Sequence, residues 1–88
     1  MFEGKPLIPT KDAQREIDEI GINLWQVKDV LEQGYDCSGS KRAKNIIERC
    51  LYKKNKEIRV VAVLVEWKEK QMDAHAPFWR IIHVSENR

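Results

Sequence analysis

Arg59, Glu66, Arg80 and His83 are residue types that cleavage of RNA through a ribose 2′-hydroxyl would use. That chemistry needs a base at the hydroxyl, an acid for the leaving oxygen, and cations around the crowded phosphorus. An imidazole titrates near neutrality, so His83 is a candidate acid or base. Guanidinium groups bind phosphate oxygens in pairs, which suits Arg59 and Arg80 to developing phosphate charge. Glu66 is a candidate base. These are weak catalytic candidates, because strict strand alternation puts Arg80 with Phe78 and Ile82 on one face and His83 with Trp79 and Ile81 on the other.

A second group points to binding. Residues 41–59 carry Lys41, Arg42, Lys44, Arg49, Lys53, Lys54, Lys56 and Arg59 against only Glu48 and Glu57. The net charge of +2 conceals this block, because residues 1–36 hold eight acids and four bases. A dense basic segment attracts a phosphate backbone or an acidic protein. Tyr52, Trp67, Phe78 and Trp79 lie among the arginines. Aromatic rings beside cations on a sheet are what single-stranded RNA recognition uses. The competing expectation for Trp67 and Trp79 is the core, since a small domain needs its largest side chains there.

The remaining reactive side chains suggest less. Cys37 and Cys50 read as free thiols in a cytoplasmic protein. Adding His75 and His83 gives two Cys and two His, but neither pair has the close spacing of a structural zinc site. No metal and no cofactor is expected, and no nucleophile triad or phosphate-binding glycine loop is visible.

The elements that must position these residues follow from local signals. Eighty-eight residues make one small domain, in which a chain of this size buries roughly 60–65% of its unfolded surface. Residues 1–9, with Pro6 and Pro9, read as an extended arm. Thr10 is a good N-cap, Ala13, Ile17 and Ile20 recur at helical spacing, and Gly21 is a natural stop, so a helix spans about 11–20. Asn23 with Gln26 forms a capping box for a second helix that ends at Gly34. Ile22 plugs the corner of this 10–34 helical hairpin, and Trp25 is expected to pack on the sheet or the first helix. Residues 35–40 read as a loop.

Three strands follow within 46–84. The first runs 46–53, with Ile47, Arg49, Leu51 and Lys53 on one face and Ile46, Glu48, Cys50 and Tyr52 on the other. The second, about 57–67 after the Lys54-Asn55-Lys56 turn, is apolar on both faces and reads as central. The third covers about 78–84, beyond a long polar loop containing His75. The expected fold is α+β: two N-terminal helices packed on a three-stranded antiparallel β-meander.

Several runs resemble the RelE-like superfamily of small toxins, closest to its BrnT-like branch and uncharacterised relatives. These are Gly21-Ile22-Asn23-Leu24-Trp25-Gln26-Val27-Lys28-Asp29-Val30-Leu31, Ile58-Arg59-Val60-Val61, and Trp79-Arg80-Ile81-Ile82-His83-Val84. The resemblance covers about residues 10–85 and implies an RNA-related role and an antitoxin-like protein partner. A metal-independent endoribonuclease would be its catalytic form. The residues themselves favour binding over cleavage: RNA contact through the basic hairpin and a sheet face. The alternative is a non-catalytic protein-interaction module, either half of a toxin–antitoxin-like pair or a homodimer. No stretch approaches the ~18 apolar residues of a membrane span, and a basic n-region before an apolar h-region is absent at the start, which predicts a cytoplasmic protein without membrane partners.

Overall fold

The computed structural model describes residues 2–37, 45–66 and 77–87. Helix α1, Lys11–Ile20, begins where Thr10 turns extended and its Oγ1 accepts the Ala13 N–H at 3.1 Å. It ends at Gly21, whose φ of 86° is the left-handed geometry that glycine adopts without Cβ strain. Helix α2, Leu24–Gln33, carries the expected reciprocal box: Gln26 N–H to Asn23 Oδ1 and Asn23 N–H to Gln26 Oε1, both 3.0 Å. Gly34 closes it because a Cβ there would fall against the carbonyls of Val30 and Cys50.

Among the described residues five strands form one sheet: β1 (Leu7–Pro9), β2 (Tyr35–Asp36), β3 (Ile46–Lys53), β4 (Lys56–Val65) and β5 (Phe78–Asn87), ordered β1-β5-β4-β3-β2. β1 lies parallel to β5, and the other neighbours are antiparallel. The expected three-stranded antiparallel meander is therefore wrong. Its three strands are the middle of a mixed five-stranded sheet, and each edge is closed by a segment too short to show a period. Residues 7–9 of the expected arm pair with Trp79–Ile81, bracketed by Trp79 N–H to Pro6 O and Thr10 N–H to Ile81 O at 2.9 Å. An edge is where a strand tolerates Pro9. Residues 35 and 36, expected as loop, pair with Cys50 and Arg49.

The helices pack on one face. Ala13, Ile17, Val27, Val30 and Leu31 meet Ile58, Val60, Ala62, Trp79, Ile81 and Val84, with Ile22 at the corner as expected. Phe2 joins them, its ring 5.6 Å from that of Trp79. Trp79 is thus a core residue. Val61, on the opposite face of β4, is also buried, so the central strand is covered on both sides at its middle.

One irregularity reverses an expectation. Val61 pairs with His83 and Ala62 with Ile81, leaving Ile82 as a β-bulge. Trp79, Ile81 and Val84 thereby all reach the core. Arg80 and His83 oppose Val63 and Val61, which share the other face, so the bulge brings together the two residues that simple alternation separates.

Candidate functional site

The sheet face turned away from α1 and α2, which carries no helix among the described residues, gathers the polar chemistry. Tyr35 lies beside Cys50, which opposes Arg59, which opposes Ser85. Glu48 lies opposite Val61, which on its other side opposes His83, and Tyr52 opposes Glu57. Arg80 sits with its guanidinium carbon 5.7 Å from the Phe78 ring centre. Tyr52 is 62% exposed, and Tyr35 and Arg80 are also open to solvent.

Arg59 Nη1 is 3.2 Å from Glu48 Oε2. Glu48 is only 6% exposed, and removing the partner of so buried an ion pair is costly. Arg59 therefore serves the fold as well as the surface. Tyr35 donates its hydroxyl to Glu57 Oε2 at 2.7 Å. That bond, then desolvation and the negative charge of Glu57, raises the phenol above its ordinary value near 10.0. A raised acid favours the protonated fold. Its contribution is present below the unfolded value and lost as pH rises through the folded one. Alkaline titration by ultraviolet absorbance should show the Tyr35 phenol ionising late, and Glu57→Gln should bring it earlier. A titration curve unchanged by Glu57→Gln would refute the bond.

His83 has a partner that the sequence does not suggest. Glu16, in α1, accepts the Val84 N–H on Oε1 at 2.9 Å, and its Oε2 lies 3.2 Å from His83 Nδ1. β1 ends at Pro9, so β5 beyond Ile81 has an open edge, and Glu16 fills it. Glu16 and Val84 are 68 positions apart; only the docking of α1 joins them. The sequence candidate Glu66 lies one residue past the far end of β4, roughly 16 Å along the strand from the row that holds His83. It does not join the group.

The basic candidates divide. Lys41, Arg42 and Lys44 fall outside the described residues, as do His75 and Trp67. Arg49 faces the helices, where its Nε meets Asp36 Oδ1 at 3.1 Å and its Nη1 donates to the Leu31 carbonyl at 2.8 Å. It ties β3 to β2 and to the end of α2. Lys56 pairs with Glu86 at 3.5 Å. Lys53 and Lys54 are exposed at the β3–β4 turn and form no ion pair among the described residues.

Two further expectations change. Cys37 and Cys50 are joined in a disulfide with Cα atoms 5.4 Å apart. They are not free thiols, because β2 carries Cys37 diagonally past Cys50 on the same face. Neither thiol remains for a metal, and no group of three metal-ligating side chains occurs among the described residues. Trp25 does not pack on the sheet or on α1. It is 72% exposed, with Lys28 Nζ 5.5 Å from its ring centre, and it borders a shallow cleft of about 290 Å³ with Pro6, Leu7 and Leu24. The first turn of α2 points its apolar stripe at the core from Val27 onward, which leaves Trp25 outside.

Among the described residues no helix is long and apolar enough to cross a membrane. No protein-family model, curated protein or solved structure matches the chain.

Proposed function

We propose that the protein binds single-stranded RNA across the helix-free face of its sheet. One observation carries this reading: Arg59, Arg80 and His83 share a face with Tyr35, Tyr52 and Phe78, and the bulge at Ile82 is what assembles them. The exposed rings of Tyr35 and Tyr52 supply stacking platforms, and the cations beside them neutralise the backbone. Of the basic hairpin, Lys53 opposes Lys56 on the helix side and so lies off this path. The RelE-like resemblance is compatible with this reading and remains a proposal with it. Cleavage is the lesser part: the Glu16 contact engages Nδ1 of His83 and leaves Nε2 as the nitrogen a substrate would meet.

The test separates charge from stacking. Affinity for an unstructured oligoribonucleotide should fall steeply with salt. Arg80→Ala should flatten the logarithmic salt slope by roughly 0.7, the value of one single-strand phosphate contact. Tyr52→Ala should leave the slope unchanged while weakening binding by about 1–3 kcal/mol, as loss of one stacked base does. Arg59→Ala is the wrong probe, because it also removes an ion-pair partner of the buried Glu48. Absence of binding by the parent protein at low salt would remove this reading.

An interaction module is the second reading, favoured by the exposed Trp25 beside its cleft. For location, a cytoplasm that preserves disulfides, as in hyperthermophiles, accommodates both the buried bridge and the high charged fraction of the chain.

A further inference from the structure

Lys53 and Lys56 face each other across the last rung of the β3–β4 ladder, on the helix side of the sheet. Like charges directly opposite in an antiparallel pair destabilise it. Between them the chain turns through Lys54 and Asn55, with φ of 52° and 65°. This is a two-residue turn of the type that usually takes Asn-Gly, yet here a lysine holds its first position. Three ammonium groups are thus concentrated where the hairpin itself gains nothing from them. Glu86 reaches Lys56 at 3.5 Å; Lys53 and Lys54 meet no acid among the described residues.

These lysines border a groove of about 310 Å³ between the hairpin end and the α1–α2 corner, floored by Ile20, Ile22 and Ile58, with Gln26 and Glu86 at its sides. The carbonyl end of α1 and the amide end of α2 meet there, so their opposite partial charges offset each other. The side chains then decide the sign: three cations against Glu86. The volume is at the small end of ligand clefts.

We propose that this groove binds a phosphate monoester, with the lysines on the phosphoryl oxygens and the isoleucines against the sugar or base. The shared chemistry is a terminal phosphate, borne either by a nucleic-acid end or by a free nucleotide. Ammonium groups suit it, since they act as point charges and need no bidentate geometry. A bound dianion would also relieve the repulsion across Lys53 and Lys56. The site lies on the opposite side of the sheet from the RNA path above and does not depend on it.

The test is a two-dimensional NMR titration at low ionic strength with inorganic phosphate and with a 5′-mononucleotide. Saturable shifts are expected in the backbone amides of residues 53–56 and 20–26. Lys53→Gln and Lys54→Gln should each weaken binding about tenfold or more, the effect of losing one hydrogen bond to a charged group. Lys53→Gln should at the same time raise the melting temperature of the unliganded protein, so lost binding cannot be lost folding. A 5′-phosphorylated oligoribonucleotide that binds more tightly than its 5′-hydroxyl form and the mononucleotide identifies a polymer end; equal affinity for oligomer and mononucleotide identifies a free nucleotide. Shifts that do not saturate, that fall only on the helix-free face, or that persist undiminished in both variants would overturn the proposal.

Discussion

Ile81→Ala is expected to lower the unfolding free energy by about 3 kcal/mol, within the 2–5 kcal/mol range of buried isoleucine truncations. Ile81 is fully buried in the core, on a strand that packs against α1, and a domain of this size has only about 5–15 kcal/mol in total. The melting temperature should drop by roughly 10–20 °C. Ile82→Ala, one residue on, should cost less than about 1 kcal/mol, because Ile82 is the exposed residue of the bulge. Val84→Ala should again be costly, at roughly 2 kcal/mol. Unbroken alternation forbids that pattern, since residues 81 and 84 would then lie on opposite faces. Urea unfolding of the three variants checks it. A large loss at Ile82, or a small one at Val84, would show that β5 runs straight and that Arg80 and His83 are apart.

Breaking the Cys37–Cys50 bridge is the other large effect. The cysteines are 13 positions apart, and loop-closure entropy for a span of about that length is worth about 3 kcal/mol in the unfolded chain. The native side adds to this. β2 holds β3 through only two residue pairs, so without the bridge little retains the edge beyond Arg49. Reduction, or Cys37→Ala with Cys50→Ala, should lower the melting temperature by roughly 10–20 °C. It should also speed amide exchange at Tyr35 and Asp36 ahead of the rest of the sheet, and shift the Tyr35 phenol back as its contact with Glu57 loosens. Equal stability in oxidised and reduced protein would mean that the edge stands without the bond.

Both effects concern features that the residues alone conceal, whereas others are plain in them. The helix boundaries rest on contacts three or four residues apart: Thr10 to Ala13, Asn23 to Gln26, Gly21 to Ile17. Such signals survive any tertiary arrangement. β3 spans 46–53 as its alternation predicts, and the Lys54-Asn55 turn sits where expected. β1 and β2 have three and two residues, too few for a period, and exist only because neighbouring strands offer hydrogen bonds. The bulge is hidden in Trp79-Arg80-Ile81-Ile82-His83-Val84, where consecutive apolar residues fit either register. The disulfide is concealed by its dependence on β2. The candidate site shows the same division. The residue types on the sheet can be recognised, but Arg49 is drawn into the fold by Asp36, and Glu16 enters from a helix that no spacing links to His83.

The parallel pairing of β1 with β5 has a consequence for how the molecule assembles. Leu7 cannot find Trp79 until both helices and β2 to β4 have been made, and that contact closes a loop containing all of them. The loop entropy must be met before the pairing returns anything. Native contacts of such long range slow folding, so the helices and the β3–β4–β5 hairpins are expected to form first, with Phe2 and β1 docking onto the exposed Trp79 afterwards. β1, which precedes both helices along the chain, would be the last element to reach its place.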